Sequence, residues 1–232
     1  MGAYEGSDSL VALYTFEEGS GTVVRDVSGV GTPLDLTLSD PLAATWISGG
    51  LSVDTATIIA SSGAATKIIN AAKASNELTV EAWVQPSALV QGTPSRIVTL
   101  SADTSYRNFT LAHGQVMGTP DDRYSFRLRT TATDLNGMTG ALTTPDGSLT
   151  LGLTHVVYTR DASGNTNLYL DGVSSVSGSI GGDFSNWDDT YRLALANEFG
   201  GGRSWLGEYY QVTLYRRALS ATEVGNNFAA GP

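Results

Sequence analysis

Apolar and polar residues alternate along the chain in short segments separated by turn residues. Residues 78–84 (LTVEAWV) show this most cleanly. Leu78, Val80, Ala82 and Val84 fall on one face, Thr79, Glu81 and Trp83 on the other, and Pro86 ends the run. That period of two belongs to a strand, because successive side chains point to opposite faces of a sheet. The same pattern predicts strands over residues 10–16, 96–100, 107–111, 124–130, 155–160, 167–170, 192–196 and 208–215. Between them lie EEGSG after Phe16, DASGN at 161–165 and Asp171-Gly172, the chemistry expected of tight turns and hairpins. Many short strands at this spacing predict an all-β protein, a two-sheet antiparallel sandwich.

Two segments have helical spacing instead. Residues 64–74 (AATKIINAAKA) bring Ile68, Ile69 and Ala72 together and predict a short helix before a long strand. Ser220 and Glu223 have capping-box spacing, in which each side chain satisfies a backbone N–H of the other residue, so one or two helical turns are predicted there. Val224 and Phe228 lie on one face of it and are expected to dock on the sandwich. With no internal repeat, linker or low-complexity stretch, the 232 residues read as a single domain, 1–232. The Met-Gly opening and Ala-Gly-Pro ending predict a domain excised from a larger protein.

Composition narrows the function. The 27 glycines and 16% charged residues suit turns and strands rather than a helical bundle. A formal net charge of −10 and only two lysines, Lys67 and Lys73, argue against nucleic acid, which needs clustered cations to replace counterions. Nothing approaches a membrane-spanning apolar run, and the first residues carry no signal peptide. The absence of cysteine excludes disulfides and thiolate metal sites. The remaining cations are eleven arginines, whose planar forks suit carboxylates, sulfates and sugar hydroxyls.

The segments LVALYTFEEGSGTVVRDVSG, NELTVEAWVQP, THVVYTRDASGNTNLYLDG and YRLALANE, the last followed by WLGEYYQVTLYRRALSATEV, occur in this order from about Leu10 to Phe228. Together they resemble the laminin G-like, concanavalin A-like jelly-roll domains of bacterial extracellular proteins. The resemblance implies two curved antiparallel sheets, a concave face and loop rims open to ligand, and often a structural calcium ion. Such domains occur as carbohydrate-binding modules, as adhesion modules and beside hydrolase or lyase domains. The expected partner is a polysaccharide or other glycan, with no nucleic acid and no membrane. The expected state is a secreted or extracellular monomer, tethered to other domains.

For calcium, the loop 25–31 (RDVSGVG) offers Asp26 and flexible backbone carbonyls, the hard oxygen ligands the ion prefers. Glu208, on the C-terminal strand that pairs close to the N-terminal strand in this fold, is expected to complete the site. The alternative is an Asx-turn at Asp26 and a surface ion pair at Glu208. Asp121-Asp122 and Asp188-Asp189 read as solvated turns. Hydrolases of this fold carry a Glu-x-Asp-x-Glu type strand, which sets two carboxyls in the groove. Here Glu17 and Glu18 are adjacent, and so on opposite faces of a strand, while Glu81 stands alone. A lyase-like set of His113, Gln115, Tyr124, Arg127 and Arg129 lacks the family's Gln-x-His strand. His113 reads as a solvated loop residue and His155 as a structural one, so no catalytic residue is assigned.

Ligand-facing candidates come last. Arg127 and Arg129 alternate with Phe126 and Leu128, so one face is apolar and the other cationic. Like charges two residues apart repel unless something anionic or highly polar answers them. Arg107, Asn108, Tyr158, Trp187, Asn197, Arg203 and Trp205 complete the candidate site, since aromatic faces stack on sugars while Asn and Arg read hydroxyls. Under the opposite reading the arginines pair with carboxylates of adjacent strands and the Trp side chains are core, as expected for Trp83 and Trp46. The sequence therefore leads to the expectation of a noncatalytic carbohydrate-binding module.

Overall fold

The computed structural model describes residues 5–92, 94–114 and 121–232. The first strands are β1 (Leu10–Tyr14), β2 (Val23–Val24), β3 (Leu36–Leu38), β4 (Ala44–Ile47), β5 (Gly50–Val53) and β6 (Ile59–Ser61). Helix α1 (Thr66–Ser75) follows, then β7 (Leu78–Pro86), β8 (Ser95–Ser101), β9 (Arg107–His113), β10 (Tyr124–Leu128) and β11 (Leu142–Thr143). The chain ends with β12 (Thr154–Arg160), β13 (Asn165–Leu170), β14 (Val173–Ser179), β15 (Arg192–Leu195), β16 (Gly207–Tyr215) and α2 (Ala221–Ala230). One sheet has the order β14-β13-β12-β7-β16-β5-β4, with β1 also on β16; the other runs β11-β10-β9-β8-β15-β6-β3-β2.

The apolar alternation of β7 turns Leu78, Val80, Ala82 and Val84 into the core, where they meet Phe109, Leu111, Phe126 and Leu128 of the second sheet. Burial of such side chains stabilises by roughly 1.5–3 kcal/mol each. Phe126 of β10 and Tyr158 of β12 stack across the sandwich with centroids 3.6 Å apart. Tyr209 of β16 makes a second bridge: its hydroxyl donates to the Ile97 carbonyl at 2.8 Å and accepts the Ala196 N–H at 2.9 Å.

The predicted strands all form, with shifts at their ends. β1 stops at Tyr14 because the chain turns into the left-handed region at Phe16, φ 53°. β10 stops at Leu128, so Arg129 and Thr130 lie beyond the ladder. Gly137 packs there so tightly that a Cβ would come within 2.8 Å of the Leu128 backbone. Strands β2 to β6 and β11, of two to four residues, were not predicted, nor was β14, a Ser-rich and mostly exposed edge strand.

Both helices form. In α2 the capping box is complete, with Ser220 Oγ accepting from the Glu223 N–H and Glu223 Oε2 accepting from the Ser220 N–H at 2.8 Å. The helix is ten residues long, more than the one or two turns predicted. It lies on the outer face of the first sheet, burying Val224 with Val157, Tyr169, Tyr215 and Leu219. Trp83 is buried, as expected, and lies in the same place, stacked on His155 at 4.5 Å and beneath Phe228 at 5.7 Å. Trp46 is half-buried at the core edge and donates to the Gly21 carbonyl. Glu81, isolated in sequence, sits at the centre of a buried network. Its carboxylate contacts His155 Nε2 at 2.6 Å and accepts from the Tyr215 hydroxyl at 2.7 Å and from Asn227 Nδ2 at 3.3 Å.

Candidate functional site

On the outer face of the second sheet, β8, β9 and β10 carry three arginines. Two irregularities place Arg96 and Arg107 there, while Arg127 faces outward by the regular alternation of β10. One between Arg96 and Val98 turns Arg96 outward, and one that leaves Asn108 unpaired puts Arg107 opposite Ser101, out of phase with inward Phe109. Arg127 pairs with Thr110, whose hydroxyl meets Thr99 Oγ1 at 2.7 Å and accepts from Arg107 Nη1 at 3.0 Å. Small Thr and Ser side chains thus floor the face and leave room for guanidinium groups above it.

Glu198 enters from the turn after β15. Ala196 adopts φ 65°, and Gly200, Gly201 and Gly202 all have positive φ, which bends the loop back until the Trp205 N–H reaches the Ala196 carbonyl. Arg96 Nε donates to Glu198 Oε2 at 3.0 Å, Arg107 Nη1 lies 3.7 Å from the same oxygen, and Ser101 Oγ donates to Oε1. Burial and then the charges of Arg96 and Arg127 push Arg107 down to about 9. Burial and then Arg96 and Arg203 push Arg127 down to about 10. Arg203 follows the glycine run and lines an open cleft of about 260 Å³ with Gln91, Gly92, Pro94, Ser95, Gly202 and Ser204. Its carbonyl accepts the Arg96 N–H, so the cleft adjoins the cluster.

The other candidates divide. Trp187 and Trp205 are core residues, at 2% and 0% exposure. The Trp187 indole donates to the Arg129 carbonyl. Tyr158 faces the sandwich interior because it is in phase with Val156, not with His155. Arg160, at the end of that strand, donates to the carbonyls of Asn76, Ile180 and Gly182. Asn108 staples a loop by exchanging hydrogen bonds with Asp188 N and O, and Asn197 holds the turn through Glu198 N, Arg203 N and Ser204 Oγ. These five candidates, Tyr158, Trp187, Trp205, Asn108 and Asn197, are framework rather than ligand surface. Arg129 is half-buried beside Tyr191, off the strand end. Glu198, which stands beside Asn197 in the later loops and by its chemistry could also read sugar hydroxyls, is instead turned inward as the counter-ion of Arg96 and Arg107.

His113 is a strand residue, fully buried, with Nε2 2.8 Å from the Leu89 carbonyl and its pKa lowered by burial, not the solvated side chain expected. Tyr124 faces the core and Arg127 the outer surface, which separates the two members of the lyase-like set; Gln115 lies outside the described residues. Asp188 caps its own turn through Thr190, and Asp189 pairs with Lys73 at 2.5 Å.

Asp26 and Glu208 do not fit a shared calcium site. The Asp26 carboxylate already accepts the N–H groups of Leu13, Ser28 and Leu34, and the Lys67 ammonium stands 2.5 Å away where a cation would bind. Leu13 pairs with Thr213, while Glu208 lies five residues further along β16, roughly 15 Å away, and accepts from the Tyr210 hydroxyl. Among the described residues no three His, Asp or Glu side chains gather as metal ligands. Burial raises the Asp26 pKa, but the Lys67 hydrogen bond and the N–H groups of Leu34 and Ser28 outweigh it and hold it below the usual range. A depressed native pKa contributes stability above the unfolded value near 3.9 and loses it as pH falls through the native one. Calcium or chelator is expected to leave the melting temperature unchanged. Lys67→Met should lower stability by about 1.5–3 kcal/mol at neutral pH, and by less below the Asp26 titration. A chelator-sensitive melting curve would restore the metal.

Two antiparallel sheets packed over one core, with a polar outer face bordered by a loop cleft, define a concanavalin A-like jelly roll. The chain belongs to the laminin G-like family of the concanavalin A-like lectin/glucanases superfamily, whose model matches residues 60–225. No curated protein matches it. Among solved structures, Trypanosoma rangeli sialidase in complex with sialic acid superposes with a TM-score of 0.65 at 19% identity, over 95% of this chain and 33% of that one. The binding domain of Paraclostridial Mosquitocidal Protein 1 gives 0.66 at 15% identity, over 97% and 53%. A structure of botulinum neurotoxin type C, whose cell entry depends on interaction with two ganglioside molecules, gives 0.64 at 12%, over 97% and 52%. The chain thus spans a third to about half of these proteins, and at such identities the likeness is one of fold.

Proposed function

We propose that the chain is a noncatalytic glycan-binding module of an extracellular protein, which binds its ligand at the cleft beside Arg203 and across the outer face of β8, β9 and β10. The observation that carries this reading is the gathering of Arg96, Arg107 and Arg127 on one sheet face, with an open cleft adjoining it. Guanidinium forks and hydroxyl-bearing side chains are the donors that read sugars, and the cleft has the polar lining such ligands need. Similar folds in a sialidase complexed with sialic acid and in a ganglioside-dependent toxin agree with a glycan partner. The noncatalytic part of the reading is supported by Glu198, which is engaged by Arg96 and Ser101 instead of facing a second carboxylate across a groove.

A glycan array probed with the wild-type domain should give binding to a defined subset of sugars. Arg203→Ala should weaken that binding by about tenfold or more while the protein remains folded. No retained glycan on any array would overturn the reading. Reducing ends or unsaturated products released from a bound glycan would replace it with an enzymatic one.

A further inference from the structure

The arginine cluster holds more positive charge than its contacts neutralise. Among the described residues, Glu198 is the one carboxylate in ion-pair contact with Arg96 or Arg107, and Arg127 has none. Arg127 is 95% buried, yet among the described residues its fork makes a single hydrogen bond, from Nη1 to Asn136 Oδ1 at 3.0 Å. Arg107, fully buried, has an Nε with no acceptor. Two further carboxylates act on these groups from a distance. Asp103 is tied to the N–H groups of Ser105 and Tyr106, and Asp134 to those of Asn136, Met138 and Thr139. Each is fixed as a cap of its own loop and so cannot move in to close on a guanidinium. Burying a cation without a partner is strongly unfavourable, and unmet donors on a buried fork add to the cost. A protein of net charge −10 has carboxylates in excess, so the shortage at this one place is local.

Resting on the glycan-binding reading, we propose that the ligand is an acidic sugar whose carboxylate is received by Arg127, between Arg107 and Arg203, while the Arg96–Glu198 pair holds the seat in shape. A carboxylate fits because its two oxygens match the two parallel donors of a guanidinium fork, and its charge offsets the mutual repulsion of the arginines. The flanking cleft lined by Gln91, Ser95 and Ser204 then faces the hydroxyls of the same sugar residue.

Titration calorimetry tests this with sialyllactose, lactose, sulfated lactose and a glucuronate-terminated oligosaccharide. The two carboxylated sugars should bind, with lactose about tenfold weaker or more. Arg127→Gln should abolish that preference while leaving the melting temperature unchanged or raised, because it removes a repelled cation. Arg127→Lys, which keeps the charge but not the fork, should lose most of the affinity for the carboxylated sugars. Equal binding of lactose and sialyllactose would overturn the acidic-sugar inference and leave the glycan module standing, and tighter binding of sulfated lactose would overturn the carboxylate. A sharply lowered melting temperature of Arg127→Gln, with sialyllactose binding intact, would make the cluster structural. Failure of every glycan on a broad array, neutral ones included, would instead remove the underlying reading.

Discussion

Glu198→Ala is expected to destabilise the domain by about 3–5 kcal/mol, the cost of leaving a buried ion pair with one member. For a chain of this size that corresponds to a fall in melting temperature of roughly 6–20 °C. Glu198 is 1% exposed, and Arg96, the nearer of its two cationic partners at 3.0 Å, is equally buried. Removing the carboxylate leaves Arg96 and Arg107 facing each other without an intervening charge, and leaves the Ser101 hydroxyl without its acceptor. Glu198→Gln separates the two contributions, because it retains an acceptor and loses the charge. Urea unfolding of the three proteins measures both. A Glu198→Ala domain within about 1 kcal/mol of the wild type would mean that water reaches these arginines freely, as it does at an exposed pair.

Trp205→Ala should be comparably damaging, by about 3–5 kcal/mol, through loss of buried contact and the cavity left behind. The indole is fully buried and meets Tyr209 edge-on at 4.8 Å, and Tyr209 in turn stacks on Phe16. Gly207 lies so close that a Cβ there would come within 2.7 Å of the Trp205 ring, so the indole and the glycine fit as one unit. Trp205→Phe should be much milder, since the buried indole Nε1 has no acceptor to lose. A sugar-stacking tryptophan would behave in the opposite way, with stability unchanged and binding lost. Thermal unfolding alongside glycan binding distinguishes the two.

The different fates of Trp205 and Arg127 show how far the sequence could be read. Alternation sorted the faces of residues 78–84 and 124–128 correctly, because a period of two leaves no freedom once one face is buried, but it ran on to Arg129, which lies past the end of β10. Capping chemistry at Ser220 likewise placed α2. Strands of two to four residues are too short for a period to show, so β2 to β6 passed unseen. A glycine-rich loop read as a place where Trp205 would be exposed, but backbone freedom says nothing about which way a side chain turns. Tyr158 was lost to the same ambiguity: in 155–160 both faces are buried, one by the sandwich and the other by α2, so apolarity could not tell them apart. The arginine face was legible as charge on one side of a strand. Its partner was not, since Glu198 lies 71 residues from Arg127 and reaches the cluster only through a loop whose path is set by Ala196 and three glycines.

The contact between the Glu5 N–H and Asn227 Oδ1, 3.0 Å long, has a bearing on how the fold can be used. It closes a ring: the backbone near one end is fastened to the helix that leads to the other, and β1 lies against β16 between them. A jelly roll of this kind can be spliced into an exposed loop of another protein with short connectors, since the entry and exit points are already side by side. The outer face of the second sheet, on the opposite side of the sandwich from α2, would then stay clear of the join.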